Sequence, residues 1–112
     1  LIGKWINNIQ KELPCEIYGD GSKRRDFTHV EDIVDALIKI MDLKIYNKVF
    51  ELGRGKNYSI LDVAKMFNIN PVFKKDKPGE ASETLADTSK AKDRLGWYPK
   101  INLEDYIKNL EL

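Results

Sequence analysis

Ile17-Tyr18-Gly19-Asp20-Gly21-Ser22-Lys23-Arg24-Arg25-Asp26-Phe27-Thr28-His29-Val30-Glu31-Asp32-Ile33-Val34-Asp35-Ala36 is the stretch that decides the fold. Glu16-Ile17-Tyr18 reads as a short strand, and Gly19-Asp20-Gly21-Ser22 as a turn of residues that tolerate positive φ. The basic cluster Lys23-Arg24-Arg25 follows directly, and residues 26–30 have the composition of a second short strand. Glu31-Asp32 then opens a helix whose apolar face is Ile33, Leu37, Ile40 and Met41, widened by Val34 and Ile38. The two acids stand where the helix dipole favours them. Strand, glycine turn, strand and amphipathic helix in that order point to an α/β fold.

Upstream, Ile2, Trp5, Ile6, Ile9 and Leu13 recur at helical spacing, which predicts a helix over 2–13 ended by Pro14. Downstream, Val49-Phe50-Glu51-Leu52 reads as a buried strand running into Gly53-Arg54-Gly55. Ser59 with Asp62 has the pattern of a capped start for a helix over 60–67, with Ile60, Val63, Ala64 and Phe67 inward. Pro71-Val72-Phe73 is a further strand candidate, and residues 74–82 form a charged loop. A helix is expected from about Thr88 to Leu95, stopped by Gly96, then an aromatic anchor at Trp97-Tyr98-Pro99 and a last helix capped by Asn102. The order α, β, β, α, β, α, β, α, α implies one α/β domain over 1–112, with a small, mostly parallel sheet of three or four strands flanked by helices.

Composition removes several classes of function. With 42% apolar and 33% charged residues over 112 positions, the chain is too apolar to be disordered and too interrupted by charge for a membrane span, which needs about 18 or more apolar residues in a run. Nineteen Lys and Arg against eighteen Asp and Glu leave a net charge of +1, which argues against nucleic acid as a partner. One Cys and one His permit neither an intramolecular disulfide nor a zinc cluster, so no metal is expected and the reducing cytoplasm is the natural compartment. The first residues are no signal peptide, and a start without Met suggests a piece of a longer protein.

Three features compete for chemistry. Gly53-Arg54-Gly55 sits between a strand and a helix, with Asp76 further on, as in a dinucleotide fold; but Tyr58 occupies the third glycine position, and a plain βα turn is the simpler reading. Cys15 and His29 have the groups of a thiol–imidazole pair, yet no third residue orients them, and structural roles suit both. The turn after Tyr18 is more informative. Two glycines let the backbone approach a ligand, Arg25 offers a fork for phosphate, and Tyr18 offers a face for a base. The alternative is a charged hairpin in which Arg25 pairs with Asp20 or Asp26, and residue types alone leave the two open. Residues 74–80 are a second cationic loop, able to supply a second charge to a diphosphate or simply solvated.

Three blocks resemble the C-terminal part of extended short-chain dehydrogenase/reductases, the NAD-dependent nucleotide-sugar epimerases and dehydratases. Residues 17–36 are similar to that family's IYGDGxQxRDFxxVxDxxxA, and Val49-Phe50-Glu51-Leu52-Gly53-Arg54-Gly55 to its YNIGSG. Lys77-Pro78-Gly79-Glu80, Ala86-Asp87-Thr88-Ser89-Lys90-Ala91 and Leu95-Gly96-Trp97-Tyr98-Pro99 are similar to RPGD, ADxSKA and LGWxP. The resemblance implies a substrate-binding domain for a nucleotide diphosphate-sugar, standing without the N-terminal Rossmann half that holds NAD. The longer parent would be an isomerase or lyase of carbohydrate metabolism, a cytoplasmic homodimer. It implies that Arg25 and Lys77 grip the diphosphate, that Tyr18 with the backbone of Glu16 and Ile17 borders the base, and that Glu80 is the acid of the second phosphate loop.

Lys77 stands where the family has arginine, Lys23 where it has glutamine, Glu51 where it has asparagine and Glu80 where it has aspartate. The family's catalytic Tyr-x-x-x-Lys is missing, since none of the five tyrosines has a lysine four residues on. The chain by itself is therefore expected to carry no catalytic residue and to bind no NAD. A stand-alone, non-catalytic binding or assembly module of the same fold is the alternative. The fragment reading expects an exposed apolar surface where the Rossmann half would lie, with self-association through it, whereas a monomer without such a surface would point to a segment that folds independently. The site assignment requires Arg25 and Lys77 to face one cleft.

Overall fold

Each of the three best-formed helix starts is fixed by a side chain that accepts an otherwise unpaired backbone N–H. In the computed structural model, which describes residues 1–112, His29 Nδ1 accepts from the N–H of Glu31 at 3.1 Å and opens α2 (Val30–Asp42). Ser59 and Asp62 form a reciprocal capping box at the start of α3 (Ile60–Phe67), as the sequence predicts. Asn102 Oδ1 accepts from the N–H of Asp105 at 2.8 Å and opens α5 (Leu103–Lys108). Helix α4 (Ser89–Leu95) ends on Gly96 with φ of 61°, a left-handed stop. The first helix, α1 (Ile2–Gln10), is shorter than the predicted 2–13. A residue before proline is pushed out of the helical region, so the chain leaves the helix early. It turns through Glu12 at φ of 56°, and Asn8 Nδ2 donates to the Pro14 carbonyl.

The α/β class holds, but the strands form two separate pairs rather than one sheet of three or four. Strand β1 (Glu16–Tyr18) pairs in parallel with β4 (Val72–Lys74), with Ile17 opposite Phe73 and Tyr18 opposite Lys74. Strand β2 (Arg24–Arg25) pairs antiparallel with β3 (Tyr58–Ser59), Arg25 opposite Tyr58. Of the two further stretches read as strands in the sequence, 26–30 is irregular over 26–29 and enters α2 at Val30, and 49–52 is irregular throughout. In the first, the Asp26 side chain replaces a strand ladder. Its carboxylate accepts the N–H groups of Arg54, Gly55 and Ala86 at 3.0, 3.0 and 3.1 Å. In the second, Val49 is 81% exposed and its carbonyl accepts from Lys90 Nζ at 2.7 Å instead of a neighbouring strand.

Two apolar clusters result. One gathers Trp5, Ile17, Val63 and Ile107 among its members, and the other gathers Ala36, Ala91, Leu95 and Trp97. Asp32, 4% exposed, ties α2 to the last connection of the chain. Its carboxylate accepts the N–H groups of Lys100 and Ile101, both at 3.0 Å, and its carbonyl accepts from Trp97 Nε1 at 2.9 Å. That tie rotates α2 relative to the predicted face: Asp32, Ala36 and Ile40 turn inward, while Leu37 and Met41 stay out. Val30, Val34, Leu37, Ile38 and Met41 form an exposed apolar stripe, with Met41 70% exposed. The molecule is a slab 46 × 33 × 17 Å, and its radius of gyration of 16.2 Å exceeds the ~13 Å of a compact chain near this length. No helix is long and apolar enough to cross a membrane.

Removing a buried acceptor strands its donors. Asp32→Ala is expected to lower the unfolding free energy by about 2–4 kcal/mol, and Ser59→Ala, which loses one cap, by about 1 kcal/mol. Urea titrations of the two variants against the parent chain check the order.

Candidate functional site

The turn after β1 is short because glycine is used where a side chain cannot stand. Gly19 has φ of 89° and lies against Asp76, whose carboxyl carbon would be 3.2 Å from an added Cβ. Its N–H donates to the Lys74 carbonyl at 2.9 Å, so β1 and the start of the 75–81 loop are held edge to edge. Antiparallel pairing of β2 with β3 then brings the basic cluster back across the same end of the molecule.

The result is a cavity of about 430 Å³ floored by β1 and Trp5 and walled by the 77–81 loop. All six residues that the sequence nominated, Glu16, Ile17, Tyr18, Arg25, Lys77 and Glu80, line it. The Ile17 side chain is only 2% exposed and belongs to the core, so its place is in the floor. The Glu16 carbonyl accepts from Trp5 Nε1 at 3.2 Å, which fixes β1 against α1. Arg25 has no carboxylate within ion-pair distance. The hairpin alternative is therefore not what forms. Asp20 accepts from Ser22, Asp26 is occupied by backbone N–H groups, and Arg25 donates to the Arg24 carbonyl at 2.8 Å.

Lys77 Nζ rests 4.0 Å from the centroid of the Tyr18 ring, a cation–π contact. The Tyr18 hydroxyl donates to Glu16 Oε2 at 3.1 Å, and that bond to a carboxylate holds the phenol above its ordinary pKa of 10.0. Two lysines that the site reading did not include, Lys4 and Lys23, also line the cavity. Lys23 Nζ donates to Asp76 Oδ1 at 2.5 Å and to Glu80 Oε2 at 3.2 Å, across 53 and 57 residues of chain. Four cations thus face two carboxylates, Glu16 and Glu80. The local signal for Lys23 was its membership of the basic run; its partners lie too far along the chain for spacing to show. The cavity can hold a multiply charged anion beside an aromatic face.

The other candidates resolve as structural. The N–H groups of Arg54 and Gly55 are committed to Asp26, and a Cβ on Gly53 would stand 2.5 Å from that of Ala86. The Gly53-Arg54-Gly55 turn therefore grips a carboxylate of its own chain. It does not fit the phosphates of NAD, and Asp76, its distant acid, is paired with Lys23. Cys15 is buried, its thiol 3.9 Å from the Trp5 carbonyl and its pKa raised by that burial. His29 caps α2 and meets Tyr106 edge to face, so the two do not pair. No three potential metal ligands cluster. A second, more apolar cavity of about 280 Å³ lies between α1, Phe27 and Tyr106.

Hydrogen bonding to Lys23 holds the Asp76 carboxyl below its ordinary 3.8, and hydrogen bonding to Asp76 holds the Lys23 ammonium above its ordinary 10.5. The pair is therefore fully formed between those two values. It is lost as pH falls through the lowered Asp76 value, or as pH rises through the raised Lys23 value. Carbon-detected NMR titration of the Asp76 carboxyl should give a midpoint below 3.8 in the parent chain, returning toward 3.8 in Lys23→Met.

Comparison with known proteins identifies the family and the fold. The sequence profile of the GDP-mannose 4,6 dehydratase family matches residues 1–110. A UDP-glucuronate 4-epimerase of Thermodesulfobacterium geofontis is 35% identical over 115 residues, covering 96% of this chain and 35% of its own length. The crystal structure of a UDP-glucuronic acid 4-epimerase from Bacillus cereus, in complex with UDP-glucuronic acid and NAD, aligns with a TM-score of 0.80 at 32% identity, over 92% of this chain and 35% of that one. A UDP-N-acetylglucosamine 4-epimerase from Methanobrevibacter ruminantium, in complex with UDP-N-acetylmuramic acid, aligns with a TM-score of 0.87 at 28% identity, over 96% of this chain and 36% of that one. The chain spans about a third of the length of these proteins.

Proposed function

The chain belongs to the GDP-mannose 4,6 dehydratase family of extended short-chain dehydrogenase/reductases, whose members include NAD-dependent nucleotide-sugar epimerases and dehydratases, and on that premise we propose that its cavity binds a nucleotide diphosphate-sugar. The single observation that carries this reading is that the Arg25 and Lys77 cations open into one cavity beside Tyr18. Arg25 presents a planar fork to one phosphate, and Lys77 a mobile point charge to the other. Tyr18, anchored through its hydroxyl on Glu16, offers its ring to the base once Lys77 moves from its face to the phosphate. Glu80 accepts from a sugar or ribose hydroxyl at the rim.

In a longer protein this domain orients the substrate's sugar toward a separate NAD-binding half, which supplies hydride chemistry when its cofactor is bound. Nothing in this chain takes part in that step. The exposed stripe on α2 and the 17 Å thickness of the slab suit a domain that lies against another. A cytoplasmic setting suits its one free, buried cysteine.

Titration with UDP and with dTDP, followed by NMR, tests the reading. Shifts are expected at Tyr18, Arg25 and Lys77, with Arg25→Ala weakening UDP about tenfold or more and Arg25→Lys weakening it less. Weak absolute affinity is expected, because a partial pocket orders the ligand on one side only. Shifts confined to other faces, or none at high ligand concentration, would overturn the assignment.

A further inference from the structure

Residues 75–81 carry Lys77 and Glu80, yet little holds them. The nearest main-chain ties flank the segment: Gly19 N–H to the Lys74 carbonyl, and Arg24 N–H to the Ser82 carbonyl. Between them, the hydrogen bonds from the rest of the chain are the two that Lys23 donates, to Asp76 at one end and Glu80 at the other. The Lys23 side chain is 17% exposed and lies under the loop, while both acceptors reach out to solvent. Lys77-Pro78-Gly79 spans the interval, and Gly79, at φ of 84°, has nothing within 4 Å of its Cβ position. The loop is thus an arch with two feet on one ammonium.

We propose that Lys23 is the positioning residue of this cavity: bridging Asp76 and Glu80, it fixes the arch that carries Lys77, which keeps the Lys77 ammonium within reach both of its resting place on the Tyr18 ring and of a phosphate held by Arg25. The bridge needs a cation long enough to reach two carboxylates at once, which a neutral amide of similar size cannot replace. Its link to ligand affinity rests on the nucleotide-diphosphate reading; its link to the position of Lys77 does not.

The test has two arms. Lys77 Nζ sits 4.0 Å from the Tyr18 ring centroid, so its neighbouring methylene protons are shifted upfield by the ring current. That shift is expected to shrink in Lys23→Gln and in Asp76→Asn/Glu80→Gln, which keeps the Lys23 charge but cuts the bridge, and to return in Lys23→Arg. The indole N–H resonance of Trp97, bonded to the Asp32 carbonyl, reports that the fold is kept. An unchanged Lys77 shift in both bridge-cutting variants overturns the proposal. In the second arm, UDP binding is expected to weaken about threefold to tenfold in Lys23→Gln and to recover in Lys23→Arg. A parent chain whose Arg25 and Lys77 resonances ignore UDP overturns the functional reading instead, and leaves the ring-current arm to decide on Lys23.

Discussion

The carboxylate of Asp26 is the point on which the arrangement depends. Its two oxygens collect three backbone N–H groups, those of Arg54, Gly55 and Ala86, while its own N–H donates to the Thr84 hydroxyl. Three stretches distant in sequence therefore meet at one side chain. Bonds from N–H groups to an ionised acceptor are stronger than neutral ones, and three of them do here what a strand ladder does in a larger sheet. The neighbours of Asp26 are aimed by it: Arg25 on one side enters the cationic cavity, and Phe27 on the other enters the apolar one. Asp32 repeats the device in the first turn of α2, with two N–H groups from near the far end of the chain.

Side-chain anchoring of this kind suits a thin molecule. A slab 17 Å deep buries few residues, here 15 of 112, and its two- and three-residue strands have little ladder to share. Charged groups that would be costly in a thicker core are affordable at its edges, where water screens their mutual repulsion. The cavity can therefore assemble several like charges without unfolding its walls, and the Tyr18 ring and the Glu80 carboxylate offset part of what remains.

Much of this was legible in local sequence. The Ser59–Asp62 box, the Asn102 cap and the Gly96 stop are each written within four residues, and each formed where the residue types placed it. Six of the cavity's lining residues were legible too: two motif blocks carry five of them, and Glu16 directly precedes the first block. What local sequence could not carry was partnership over distance. Residues 49–52 have a strand's composition, but a strand needs an edge to join, and Lys90 took the carbonyl of Val49 first. The face of α2 was misjudged for the same reason: period alone favoured Leu37 and Met41, whereas the bonds of Asp32 to Lys100 and Ile101 rotated Ala36 inward. Lys23 read as one member of a basic run because its two acceptors lie more than fifty residues away.

The chain has two tryptophans, and they stand in different places for different reasons. Trp5 is part of the cavity floor and bonds to the Glu16 carbonyl, whereas Trp97 is sealed in the second cluster against α2. Each indole is thus a native optical probe of one region only. In a chain whose Trp97 is replaced by phenylalanine, emission comes from the cavity floor alone; in the reciprocal variant it comes from the cluster under α2. Occupancy of the one and loosening of the other become separable signals, with no dye attached to either.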